Sequence, residues 1–214
     1  MARTQQQRRQ ETISRLLEAS IATIAEVGYA RASAAVICKR AEVSVGALFR
    51  HFDTMGDFMA ATAHEVLRRQ LDEFTKRVAE IPAEAPATAA ALTILRDITG
   101  NPTNAVMYEL LIAARTDDRL KATLQNVLEQ YSAKIYDVAR TLPGVDAFAE
   151  DTLPALVAMI TNLFDGAAIV RAVLPQPDIE AKRIQLVAAL LTNNPSELQG
   201  ADAGPRRLRE APVQ

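Results

Sequence analysis

Apolar residues recur at intervals of three and four along most of the chain, and no segment shows the two-residue alternation of a half-buried strand. In residues 8–27 the apolar positions fall on one helical stripe, and Gly28 follows, a residue type that often ends helices. A longer stripe predicts a helix over residues 54–80, before Pro82 and Pro86 prevent its continuation. The pattern therefore predicts an all-α protein.

Prolines and glycines divide the rest of the chain. Gly100-Asn101-Pro102 is a predicted break and Pro143-Gly144 a predicted turn. The remaining predicted helices are 88–99, 103–115, one that begins at Thr116-Asp117, 148–174 (the most apolar) and 178–191. Three parts are expected: an N-terminal unit (1–55), a larger helical bundle (56–193) and a tail (194–214) whose composition predicts disorder.

Residues 28–59 contain two short predicted helices joined by a tight turn. Ser33 and Ser44 are suited to cap helices 34–41 and 45–52, because their hydroxyls can accept from unpaired first-turn amides. Glu42 and Val43 form the turn between them. A pair this small leaves one face of the second helix free, as in a helix-turn-helix whose second helix enters a DNA major groove.

These residues resemble the TetR-type one-component transcriptional repressors. The resemblance covers residues 8–60 and continues more loosely from Glu109-Leu110 to Leu120. It implies a small-molecule pocket in the larger bundle and dimerisation through the last two helices. The matching positions are Gly28-Tyr29, Ile37, Ala41, Val43-Ser44, Gly46, Leu48, His51-Phe52 and Asp57-Phe58.

The outward face of the second helix supplies the predicted DNA contacts. Val45 and Ala47 can touch thymine methyl groups, Gly46 permits close approach, and Arg50 can pair with guanine or a phosphate. Phe49 stands where the family often has Tyr, so a hydroxyl contact to phosphate is lost. The predicted phosphate contacts are Lys39, His51 and the helix-start amides at Ser33, Ala34 and Ser44, with a packing role equally open for His51.

Other departures from the family pattern weaken the predicted grip on the DNA backbone. Ala32 stands where Thr is frequent, Glu42 at a turn position usually taken by Gly, and Met55 where Lys is common. A helical protein that has lost operator binding therefore remains an alternative.

Charge is unevenly distributed along the chain. Residues 1–52 carry eight Lys and Arg against four Glu, a net +4, whereas the whole chain is −2. A cationic end on an acidic body suits phosphate binding. Cys38, the single cysteine, excludes an internal disulfide and is expected to be a small core residue, with redox sensing as the lesser alternative.

Several functional classes are disfavoured by the sequence. The two histidines, His51 and His64, lie near the N-terminal unit, and neither a phosphate loop, a metal-ligand cluster nor a nucleophile signature occurs. We therefore expect no enzyme, no cofactor and no metal. The polar N-terminus and the absence of a long uncharged apolar run predict a cytoplasmic protein without a membrane partner.

The larger bundle provides candidate ligand and dimer residues. We expect a small, apolar effector, because aromatic residues and buried charge are scarce. Candidate pocket residues interrupt apolar faces with polar or adaptable groups: His64, Leu67, Met107, Tyr108, Leu111, Tyr131, Met159, Asn162 and Phe164. Candidate dimer residues, for a four-helix seam with a second copy, are Leu156, Ile160, Leu163, Ala167, Val187 and Leu191.

The expected function is that of a ligand-responsive repressor, which binds a palindromic double-stranded DNA operator as a homodimer and is released by its effector. The alternative is a protein of the same fold that binds a ligand or a partner and binds DNA weakly or not at all.

Overall fold

The described part of the chain, residues 4–142, 145 and 148–192, contains nine α-helices and no strand in the computed structural model. The all-α prediction is confirmed. The predicted tail and the Pro143-Gly144 turn lie outside the described residues. The helices are α1 (Gln5–Val27), α2 (Ala34–Arg40), α3 (Val45–Leu48), α4 (Met55–Ala79), α5 (Ala87–Thr99), α6 (Ala105–Ala114), α7 (Asp118–Ala139), α8 (Leu153–Arg171) and α9 (Pro177–Thr192).

Side-chain caps fix where the N-terminal helices begin. Thr4 and Gln7 form a reciprocal capping box that starts α1 three residues earlier than predicted. Thr54 and Asp57 form the same box at α4: the Thr54 hydroxyl accepts from the Asp57 amide (3.1 Å), and the Asp57 carboxylate accepts from the Thr54 amide (3.0 Å). The start of α4 is thus fixed immediately after α3.

Two predicted helices are shorter in the structure. Helix α3 ends at Leu48 rather than Phe52, because the amides of His51 and Phe52 both donate to the Leu48 carbonyl and close the last turn. Helix α8 spans Leu153–Arg171 rather than 148–174. Pro154 is tolerated only in a first turn, and Pro175 disfavours helical geometry in the residue before it.

Two apolar clusters hold the helices together. The larger one runs from Leu16 and Leu48 to Val66, Leu110 and Leu124, and so joins α1–α4 to α6 and α7 in one continuous core. The smaller one joins α5, α8 and α9 through Leu92, Phe164, Ile184 and Ala188. The predicted boundary between the N-terminal unit and the larger bundle, at residues 55 and 56, stays a prediction. The larger apolar cluster contains residues from both sides of it.

Helix α8 is long and apolar enough to cross a bilayer by length and composition alone, a test that core helices of bundles also meet. In this fold it packs against α5 and α7 and buries Leu153, Leu156 and Phe164. Asp165 lies in its second half, where a carboxylate would be costly in lipid.

Candidate nucleic-acid interface and internal cavity

The turn between α2 and α3 is held by a left-handed residue. Glu42 has a φ of 54°, a left-handed conformation that favours glycine. This explains why the resembling family usually has glycine at this turn position. The Val43 amide donates to the Cys38 carbonyl (3.0 Å), and the Arg15 guanidinium donates to the Glu42 carbonyl (3.3 Å). Cys38 itself is buried, and burial raises the pKa of its thiol, as expected of a core residue.

The predicted DNA-contacting residues of α3 and of the turn that follows it lie on one exposed surface, called the α3 surface below. Val45 and Phe49 are 40% and 44% exposed, Gly46 and Arg50 are exposed beside them, and Ala47 is half-buried. The Ser44 hydroxyl accepts from the Ala47 amide (3.1 Å) and the Ser33 hydroxyl from the Val36 amide (3.4 Å). Both serines act as caps, with half-buried Ala34 following Ser33. Contact of this surface with DNA stays a prediction.

The cations of this unit divide into paired and available ones. Arg40 pairs with Glu26 (2.7 and 2.5 Å), and Arg31 donates to the Val27 carbonyl (2.9 Å). Within the described residues, exposed Lys39 and Arg50 form no ion pair or side-chain hydrogen bond. The positive charges of Lys39 and Arg50 are therefore not neutralised by neighbouring side chains.

Two further features of this surface were not resolved by the sequence. Val36 is 45% exposed and lies one helical turn before Lys39, a spacing that could have identified it. His51 is half-buried, and its Nδ1 atom is buried without a hydrogen-bond partner in the described part of the chain. One edge of the ring is therefore packed inside the protein, and contact of His51 with a phosphate stays a prediction.

A cavity of about 520 Å³ lies between the two apolar clusters, walled by α4–α8 with Leu191 of α9. Predicted pocket residues that line it are Leu67, Met107, Tyr108, Leu111, Tyr131 and Asn162. Three others are corrected. His64 packs edge-on against the Tyr131 ring, 5.4 Å between centroids, Met159 is 62% exposed, and Phe164 belongs to the smaller core cluster.

One end of the cavity carries a polar cluster of which the sequence predicted only Tyr108. The Tyr108 hydroxyl donates to Asp165 Oδ1 (2.9 Å), and the Asn104 amide donates to the Tyr108 oxygen (2.7 Å) and the Thr99 carbonyl (3.1 Å). Gln70 donates to the Asn104 carbonyl oxygen. Burial raises the pKa of Asp165 above its usual range, and burial beside this carboxylate raises that of Tyr108. The available signal was a single acid inside the long apolar helix α8.

The predicted dimer residues mostly face inward. Leu156, Ile160 and Leu191 line the cavity, and Val187 packs on the smaller cluster, so these side chains have little surface for a partner. Leu163 is 39% exposed and Ala167 half-buried. The exposed apolar face of α8 and α9 shares only Leu163 with the predicted one. It comprises Met159, Leu163, Ile169, Val170, Ile179, Leu186 and Leu190.

Comparison with known proteins agrees with this architecture. Residues 16–62 match the family described as bacterial regulatory proteins, tetR family. An HTH-type transcriptional regulator of Mycobacterium tuberculosis (strain ATCC 25618 / H37Rv) is 74% identical over 192 residues, which cover 90% of this chain and 98% of the relative.

Two solved structures show the same fold at low sequence identity. The Bacillus subtilis transcriptional regulator FadR, in complex with stearoyl-CoA, has a TM-score of 0.61 at 16% identity and covers 85% of this chain and 98% of its own. The multidrug binding protein EbrR, complexed with imidazole, has a TM-score of 0.59 at 23% identity and covers 84% and 93%. The helix-turn-helix, the helical bundle behind it and the 74% identical regulator agree, and this chain belongs to the tetR family of bacterial transcriptional regulators.

Proposed function

We propose that this protein is a repressor that binds a palindromic operator as a homodimer and releases it when a small, largely apolar molecule enters the cavity. The observation that carries the proposal is α4, which begins directly beyond α3 and continues into the cavity wall with Leu67, Leu71 and Phe74. Family members are transcriptional regulators and not enzymes, and they act in the bacterial cytoplasm, where we place this protein too.

Operator binding would use the α3 surface. Val45, Ala47 and Phe49 offer apolar contacts, while Arg50 and Lys39 offer unpaired charge. One short helix spans only a few base pairs, so a specific site needs two copies, with half-sites ~34–36 Å apart. The exposed apolar face of α8 and α9 supplies the surface for that second copy.

Two contacts would carry the response from the cavity to the DNA-binding unit. The first is α4 itself. The second is α6, where Tyr108 lines the cavity and the neighbouring Glu109 carboxylate accepts from the Tyr29 amide (2.9 Å). A ligand that displaces either helix changes the separation of the two recognition helices. Binding the poorly fitting form ~100-fold better supplies ~2.7 kcal/mol, an ordinary coupling.

The cavity favours an effector with an apolar body. Its wall is mostly Leu, Ile, Val and Ala with a few aromatic rings, and Asp165 is its one carboxylate among the described lining residues. A volume of about 520 Å³ lies within the ~300–1,000 Å³ range of small-molecule sites.

The test is a shift assay with DNA fragments from both sides of the protein's own gene, run at two salt concentrations. Specific binding that weakens steeply with salt supports a DNA-binding repressor. Folded dimer that binds no fragment at low salt would leave the alternative, a ligand or partner binder without an operator. Ligands that stabilise the protein by several degrees and leave operator affinity unchanged would refute release.

A further inference from the structure

We propose that the effector is a lipophilic organic cation, whose positive group pairs with Asp165 while its apolar body fills the cavity. This inference rests on the proposed function only in taking the cavity as the effector site.

The charge of the cavity wall is the first observation. Among the described residues that line the cavity, Asp165 is the single carboxylate, and no Lys, Arg or His is present. An anionic ligand would be buried beside a like charge with no counter-ion, which is unfavourable. A cationic ligand meets an opposite charge at one defined end of the cavity.

The surroundings of Asp165 are the second observation. Its hydrogen bond comes from a neutral group, the Tyr108 hydroxyl, which spreads the negative charge without cancelling it. In the described part of the chain Asp165 forms no ion pair. Burial without a counter-ion is consistent with the raised pKa of this carboxyl.

The nearest basic residue along the helix is committed elsewhere. Arg171 pairs with Glu180 and donates to the Arg96 carbonyl (3.3 Å). Gly100 keeps this arrangement possible, because a Cβ there would overlap the Arg171 guanidinium. Arg171 is therefore held against the Glu180 carboxylate.

The polar cluster around Asp165 is already organised. Gln70 bonds to Asn104, which donates to both Thr99 and Tyr108, and Tyr108 donates to Asp165. Because these hydrogen bonds already fix the Asp165 carboxylate, little further conformational entropy is lost there when a ligand binds. Beyond it, Phe74, Tyr136 and many aliphatic side chains line the remainder of the space.

The experiment compares three ligands that share one apolar chain. Decyltrimethylammonium, 1-decanol and decanoate are titrated into the dimer by calorimetry, each below its micelle concentration. We expect the cation to bind at least ~10-fold tighter than the alcohol, with decanoate weakest, as desolvated charge pairs allow. Decanol or decanoate binding as tightly as the cation, or no detectable cation binding, would overturn the proposal.

Variants locate the charge that makes the difference. Asp165→Asn should remove the cation preference and leave decanol affinity within ~2-fold, whereas Asp151→Asn, the same change at an exposed site, should keep it. Asp165→Asn retaining the preference would refute the pairing. If Asp165→Asn fails to fold, the head-group order in the wild type decides: cation over alcohol over carboxylate supports the pairing, and any other order overturns it. Operator binding without ligand tests the proposed function separately.

Discussion

Replacing Gly28 tests how the DNA-binding unit is joined to the bundle. Gly28 has φ 80° and ψ 159°, a backbone region that is essentially restricted to glycine. An added Cβ would also lie 3.3 Å from Glu109 Oε2, the oxygen that accepts from the Tyr29 amide. Gly28→Ala therefore strains the backbone and crowds a contact between α6 and the start of the helix-turn-helix.

The expected loss of folding stability follows from the backbone strain and from the crowded contact with Glu109. Backbone strain in this region costs about 1–3 kcal/mol, and the exposed hydrogen bond from Tyr29 to Glu109 adds at most about 1 kcal/mol. We expect Gly28→Ala to destabilise by about 2–3 kcal/mol. In the Glu109→Ala background the loss should be smaller, because the crowded carboxylate is gone and the two changes share one contact.

Urea unfolding at one fixed protein concentration measures the effect, with the midpoint expected to fall at unchanged slope. Gly56→Ala is the matched control. A Cβ there meets only the Thr54 and Thr123 hydroxyls at 3.5 and 3.8 Å, and a helical alanine is favoured by about 0.5–1 kcal/mol. Gly28→Ala as stable as wild type would refute the strained-junction argument.

Three further changes test other parts of the account. If Arg50 contacts a base, Arg50→Ala should weaken DNA binding by ~1–3 kcal/mol and relax the sequence preference at one position. If Arg50 contacts a phosphate, the same change should lower the slope of the salt dependence by about one. If neither quantity changes, Arg50 does not contact the DNA. Leu163→Asp should give a monomer by light scattering and weaken operator binding in parallel, and an intact dimer would place the interface elsewhere. Glu65→Gln should destabilise by about 1 kcal/mol at neutral pH. Because the Arg68 guanidinium lowers the pKa of Glu65 from 4.5 to about 2, that difference should shrink as pH falls through this range. A difference that stays at its full neutral-pH size at pH 2 would contradict the pairing.

The helices were largely predictable because their signals are local. Ser33, Ser44 and Thr54 mark helix starts through their own hydroxyls, and proline and glycine mark the ends. The predicted ends of α3 and α8 were wrong for two local reasons. Pro154 fixes the beginning of α8, and the shared acceptor at the Leu48 carbonyl ends α3 early.

The two ligand-facing helices were harder to orient. Helix α8 is apolar on nearly every side, so periodicity could not show that Leu156 and Ile160 face the cavity while Met159 and Leu163 face outward. Tyr108 was predicted, but its partner Asp165 lies 57 residues away, and no local pattern links the two. Their proximity depends on tertiary packing, in which α7 contacts both α6 and α8.

The most direct test of the central claim is a titration of labelled operator fragment with the dimer, with and without a saturating ligand that stabilises the protein. We expect tight, salt-sensitive binding without the ligand and ~10- to 100-fold weaker binding with it. Unchanged operator affinity in the presence of the bound ligand would contradict the account.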